Sequence, residues 1–151
     1  MILDIDLQAY QDQLALQKKD GKTHIFDPVR KRWLVLLPEE LVRQLMLQFL
    51  VLELGYKFNH FRTESGLQIN ERQRRTDILA YDQSVQPYLL VECKAPQVKI
   101  NENTFWQSVH YNRELQAPYL VVTNGIRTYC CEMNYIEETG SFLDHIPDAP
   151  F

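Results

Sequence analysis

The chain has 151 residues, 45% of them hydrophobic, which suits one compact α/β domain with a real core and leaves little room for a second. Its formal charge of −4 argues against a protein that coats nucleic acid through net basicity, while leaving a local basic groove open. No window approaches the roughly 18 consecutive apolar residues of a membrane span, and Met1-Ile2-Leu3-Asp4-Ile5-Asp6 lacks the basic-then-apolar layout of a secretory signal, so a cytoplasmic setting without membrane contact is expected.

Residues 1–21 have a mixed pattern ending in the turn signal Lys18-Lys19-Asp20-Gly21 and are expected to form a peripheral segment. Two short β-prone runs, Thr23 to Phe26 and Trp33 to Leu36, flank the turn residues Asp27-Pro28-Val29-Arg30-Lys31 and predict a hairpin. Pro38 then sits where a first helical residue tolerates proline, Glu39 and Glu40 complement the helix dipole, and Gly55 follows the last turn. A helix over Pro38 to Leu54 follows, with Leu41, Leu45, Phe49 and Leu52, flanked by Val42, Met46 and Leu50, as its buried stripe.

Tyr56 to Arg62 reads as a strand, and Ser65-Gly66 as a turn into a second extended run ending in Arg72, Arg74 and Arg75. Thr76 to Tyr81 predicts another strand, and Tyr88 to Ala95 an interior one, ended by Pro96. Helical character from about Glu102 to Gln116 stops before Pro118, and Tyr119 to Thr123 is a third central strand. Strand, helix, strand in that order implies a crossover and parallel pairing. Asn124-Gly125 should turn Ile126 to Met133 back antiparallel at an edge. The resulting division is a core over residues 22–135 and an irregular tail over 136–151, within a single domain. Cys93, Cys130 and Cys131 are odd in number and lack C-x-x-C spacing, so they read as reduced thiols rather than as a disulfide framework or a zinc site.

Alternation along Tyr88 to Ala95 puts Leu90, Glu92 and Lys94 on one face and Leu89, Val91 and Cys93 on the other. Two charged groups in a buried strand cost roughly several kcal/mol unless compensated, and a buried Glu92 to Lys94 ion pair would be one compensation. If Tyr81 pairs with Tyr88, the antiparallel register places Asp77 opposite Glu92. Carboxylates so placed repel, which points to a cation between them. Oxygen ligands of this kind suit Mg2+ or Mn2+, with water completing the shell.

Asp77 followed by Glu92-Cys93-Lys94 resembles the D...(D/E)xK signature of the PD-(D/E)xK nucleases, with Thr76 standing where a proline usually precedes the aspartate. More of the chain is similar to the N-terminal nuclease domain of type I restriction enzyme R subunits. The similarity is carried by Phe26 to Trp33, Leu37 to Gln44, Leu54-Gly55-Tyr56, Arg75-Thr76-Asp77-Ile78 and Thr123-Asn124-Gly125. The resemblance implies a restriction-endonuclease-like α/β core, with a mixed central β-sheet flanked by helices. It also implies Mg2+- or Mn2+-dependent cleavage of DNA, with Asp77, Glu92, the backbone carbonyl of Cys93 and the first-helix acid Glu40 (Glu39 being the adjacent candidate) as metal ligands. Lys94 would orient or deprotonate the nucleophile. Gln107 and Tyr111 reproduce the Q-x-x-x-Y pattern of RecB-like members, which adds them to the expected catalytic group, although at that spacing a Gln and a Tyr are commonly plain surface residues. Arg72, Arg74, Arg75, Lys99 and Arg113 are the expected phosphate contacts.

These residues hold no ATP-binding P-loop and no motor domain, so a translocating restriction enzyme is not expected from this chain alone. It would act on DNA either by itself or with separately encoded protein partners. Two other readings stay open: a catalytically silent nuclease-fold domain that binds nucleic acid or protein, and a structural α/β domain whose charged strand holds an internal ion pair.

Overall fold

The computed structural model describes residues 2–62, 77–111 and 113–151. The first segment is less peripheral than expected. Leu3 and Leu7 are buried, a 3-10 helix spans Leu7–Gln13, and the Leu3 N–H donates to the Thr128 carbonyl at 2.8 Å. Three strands follow as one antiparallel sheet: β1 (Leu16–Lys19), β2 (Lys22–Asp27) and β3 (Arg32–Val35). The expected hairpin is β2 and β3, and β1 is an addition to it, joined through a turn with positive φ at Asp20 and Gly21.

Helix α1 (Pro38–Leu54) starts on Pro38, whose missing N–H costs nothing at a helix start. It ends at Gly55, where φ is +79° and the following Tyr56 N–H donates to the Leu50 carbonyl, a conformation that glycine adopts without a Cβ penalty. The expected stripe needs correction. Leu52 is exposed, whereas Arg43, Gln44 and Leu47 are buried beside Val42, Leu45, Met46 and Leu50. The helix is covered on more than one side, so its burial is wider than a single stripe and centred elsewhere.

The stretch expected as one strand from Tyr56 is instead a 3-10 turn over Phe58–His60 and a two-residue strand β4 (Phe61–Arg62). The predicted Ser65-Gly66 turn, the extended run behind it and Thr76 lie outside the described residues. Then come β5 (Ile78–Tyr81), β6 (Pro87–Cys93), α2 (Glu102–Tyr111), β7 (Tyr119–Thr123), β8 (Thr128–Asn134) and β9 (Thr139–Leu143). Helix α2 ends earlier than expected, at Tyr111. The large sheet has the order β4-β5-β6-β7-β8-β9, and its β6 and β7 are parallel, as the strand-helix-strand order implied. The return after Asn124-Gly125 is antiparallel but interior. Its edge place is taken by β9, which lies within the tail expected to be irregular.

Two apolar layers sandwich this mixed sheet. On one face Ile78, Ala80, Leu89, Val91, Cys93, Val121 and Cys130 pack against α1 and the N-terminal segment. On the other, Leu79, Leu90, Leu120, Val122 and Cys131 pack against Ile100 and Phe105 of the α2 region. Burying each such aliphatic side chain contributes about 1.5–3 kcal/mol, so the alternation of β5 and β6 between the layers is strongly fixed. The architecture is compatible with a restriction-endonuclease-like core. Among the described residues no helix is long and apolar enough to cross a membrane.

Candidate functional site

The charged residues of β5 and β6 meet where β5 begins and β6 ends. Ile78 pairs with Val91, Leu79 with Leu90 and Ala80 with Leu89. Continued by one residue, this ladder would set Asp77 across from Glu92. The supposed anchor of that register is different: Tyr81 pairs with Pro87, and a bulge between Ala80 and Tyr81 absorbs the difference. Both carboxylates are buried, Asp77 8% and Glu92 7% exposed, in the same α2-side parity as Leu79 and Leu90.

Glu92 also pairs with Val122 of β7 in the parallel register, and the Lys94 N–H donates to the Thr123 carbonyl at 2.8 Å, which carries the pairing past the end of β6. The Lys94 ammonium donates to Glu92 Oε1 at 2.9 Å, so the two share a face as their spacing required. Glu92 Oε2 is buried with no hydrogen-bond partner among the described residues. A buried carboxylate oxygen left in that state is costly.

Glu40 approaches from the first turn of α1. Its Oε2 accepts from Arg43 Nη1 at 3.1 Å and from Gln44 Nε2 at 2.9 Å, and its Oε1 lies 3.7 Å from Arg30 Nη1. Arg43 Nη1 also donates to Asp27 Oδ2 at 2.8 Å, and Arg30 Nη1 to the same oxygen at 3.0 Å. Asp27 is wholly buried and further accepts the backbone N–H of Val29. Burial alone would raise the Asp27 carboxyl pKa, but the Arg43 charge and these donors override it and hold the group below its ordinary value. Arg43 is pushed the other way: burial disfavours its charge, and Asp27 and Glu40 more than restore it. The network pins the β2–β3 hairpin to the start of α1.

Cys93 links this network to the strand ends. Burial pushes its thiol well above the usual range, and the nearby charges of Asp77, Glu40 and Glu92 add to the rise, while Arg43 opposes it. One buried sulfur therefore sits in the field of all three carboxylates. Among the described residues no three His, Cys, Asp or Glu side chains close into a ready ligand set. A divalent cation here would have to be held by Asp77, Glu92 and main-chain or water oxygens. The hard oxygen donors, and a Glu92 Oε2 with no hydrogen-bond partner among the described residues, fit that role.

The strand register thus carries Asp77 toward Glu92, which holds Lys94, while Glu40 belongs to the Asp27–Arg43 network on the α1 side. The structure does not join the remaining candidates to them. Gln107 is exposed on α2, and no hydrogen bond among the described residues ties it to Asp77, Glu92 or Lys94. The Tyr111 side chain and Arg72, Arg74 and Arg75 lie outside the described set. Lys99 is exposed in the loop before α2, and Arg113 forms an exposed ion pair with Glu138 at 2.6 Å. Sequence reasoning missed Asp27, Arg43 and Gln44. The spacing of Arg43 and Gln44 from Glu40, three and four residues on, was the available signal.

A family model described as type I restriction enzyme R protein N terminus (HSDR_N) matches residues 38–147, more than half of the chain and a span that includes Glu40, Asp77, Glu92 and Lys94. Comparison with curated proteins and with solved structures returned no match.

Proposed function

Since the chain belongs to the family of type I restriction enzyme R protein N termini, a nuclease-like domain of restriction systems, we propose that it is a metal-dependent deoxyribonuclease. The observation that carries this reading is the register that directs Asp77 toward Glu92 and its partner Lys94 where β5 begins and β6 ends, with the second Glu92 oxygen buried and without a hydrogen-bond partner among the described residues. Folding alone gives a sheet no reason to set two carboxylates across from each other.

Asp77 and Glu92 would hold Mg2+ or Mn2+ together with the Cys93 carbonyl. When bound, such an ion supplies a Lewis acid that lowers the pKa of a water and offsets charge on the scissile phosphate. Lys94 supplies a fixed positive charge beside Glu92, placed to orient the attacking water and to stabilise negative charge growing on the phosphoryl oxygens. Glu40, with both oxygens engaged by Arg43, Gln44 and Arg30, is tied into the Asp27 network and braces the start of α1 rather than serving as a metal ligand. The three buried, unbridged cysteines suit action in a reducing cytoplasm.

The test is incubation of purified protein with plasmid and with single-stranded DNA in Mg2+ or Mn2+, alongside Asp77→Ala and Lys94→Ala. Nicking or degradation by the wild type, lost in both variants, is the expected outcome, together with divalent-ion binding by calorimetry that Asp77→Ala removes. Equal behaviour of all three proteins, with no such binding, leaves a silent nuclease-fold domain as the better account.

A further inference from the structure

The β1-β2-β3 sheet has one face that the site above does not use. Its registers put Ile25, Asp27 and Leu34 inward, where they are buried. Lys19, Lys22, His24, Phe26, Trp33 and Val35 alternate to the opposite face. Trp33 and Val35 are each 41% exposed, and the Phe26 and Trp33 rings meet edge to face at 5.5 Å. Lys19 and Lys22 are direct cross-strand partners. Like charges so placed destabilise a sheet, so folding does not account for them.

The charge of this sheet runs against that of the whole chain. Lys19 and Lys22 on this face, Lys18 and Arg32 on the opposite parity and Lys31 in the turn are all exposed across residues 16–35, against the single exposed acid Asp20, in a protein of formal charge −4. None of the five is ion-paired among the described residues. The strip from Lys22 to Phe26 is about 13 Å long at strand rise, with cations at one end and an aromatic pair at the other. Its aromatic end adjoins Asp27, which is bound through Arg43 to Glu40.

We propose that this face binds a single-stranded stretch of DNA, with Lys19 and Lys22 on phosphates and the Trp33 ring stacked on an unpaired base. Such surfaces join cations that track the backbone to aromatic rings that accept any base. A strand laid along β2 from the lysine pair runs toward the α1 end that carries Glu40. This rests on the nuclease reading for the choice of DNA among polyanions, and it gives that substrate a second contact.

Binding of a short labelled oligothymidylate is measured by anisotropy in EDTA, so that no cleavage intervenes. A Trp106→Phe background leaves Trp33 as the only emitter of the two tryptophans. The oligonucleotide should quench Trp33 emission. Trp33→Ala should weaken binding about tenfold or more, and Lys19→Gln with Lys22→Gln should lower the log-log salt slope by about 1.4, at ~0.7 per phosphate contact. Unchanged affinity and slope in both variants overturn the proposal, as does a duplex that binds as well as the single strand without quenching. A protein partner as the true occupant gives the first of these results. If plasmid cleavage fails while Trp33-dependent binding stands, the nuclease reading falls alone; if cleavage stands and these variants bind and cut like wild type, this face falls alone.

Discussion

Truncating Asp27 to alanine should be among the most damaging single changes in the protein. The carboxylate is wholly buried and accepts from Arg43 at 2.8 Å, from Arg30 Nη1 at 3.0 Å and from the Val29 N–H at 2.8 Å. The variant leaves two guanidinium groups short of a counter-charge, and Arg43, 2% exposed, cannot turn to water. Breaking a buried pair from one side costs about 3–5 kcal/mol, a large share of the ~5–15 kcal/mol that holds a domain together. At about 2–4 °C per kcal/mol for a chain of this size, the melting temperature should drop by about 10 °C. The assay is thermal and urea unfolding of wild type, Asp27→Ala, Arg43→Met and the double variant, with a coupling energy above ~1 kcal/mol expected between two groups in direct contact. The pH dependence has a fixed sign. The Asp27 carboxyl is depressed in the fold, so its contribution is complete above the unfolded value of about 3.9 and is lost as pH falls through the lower folded value. Wild type should therefore lose stability below about pH 4 more steeply than Asp27→Asn. Strictly additive single variants, or a loss under ~1 kcal/mol for Asp27→Ala, would refute the reasoning.

Distance alone does not set the value of an ion pair. Arg113 and Glu138 lie closer, at 2.6 Å, but both are more than half exposed, and Glu138→Ala should change unfolding free energy by less than about 1 kcal/mol in the same urea assay. Asn124→Ala should be worse, by about 2–3 kcal/mol. Asn124 Oδ1 accepts the Ile126 and Arg127 N–H groups and its Nδ2 donates to the Val98 carbonyl at 2.8 Å, so urea unfolding and hydrogen exchange in residues 95–101 should report the loss together. The three thiols should resist alkylation until the chain unfolds. All are buried, and burial pushes Cys130 to about 12 and Cys131 to about 11, so labelling by an aromatic disulfide at neutral pH should be slow natively and reach three per chain in denaturant.

Much of the large sheet was legible because burial repeats at the period of the element. Leu89 and Val91 go to the α1 layer and Leu90 to the other, and Ile78, Leu79 and Ala80 alternate to match. A register error of one residue would have turned every one of these side chains to the wrong layer. That is why Ile78–Val91 and Leu79–Leu90 keep the register the sequence reading needed although the Tyr81 to Tyr88 pairing behind the inference was wrong: the bulge near Tyr81 lies outside the stretch whose parity burial dictates. The edge strands were illegible for the converse reason. All four residues of β1 are exposed, so Leu16-Gln17-Lys18-Lys19 shows no alternation to read. Strand β9 runs through Gly140, a poor strand former that is required here because a Cβ would lie 2.8 Å from Cys131 Sγ. The Asp27–Arg43 pair joins residues 16 apart across a hairpin, and no local periodicity encodes such a contact.

The charges around the strand ends sort into two tiers. Behind the site, Arg43 and Arg30 face Asp27 and Glu40, two cations against two anions, so this tier is close to neutral and contributes rigidity more than field. In front, Lys94 is paired with Glu92, and with Asp77 counted in, the charges of these three side chains sum to one negative among the described residues. On the reading proposed above, that excess is the useful quantity. A divalent cation added to it gives one net positive charge, which matches the single negative charge of a phosphodiester, whereas a site with Glu40 unneutralised would bind the cation more tightly and repel the substrate. On that reading, holding Glu40 to Arg43 and Gln44 keeps its charge compensated and leaves the front tier attractive to a phosphate once a cation is in place.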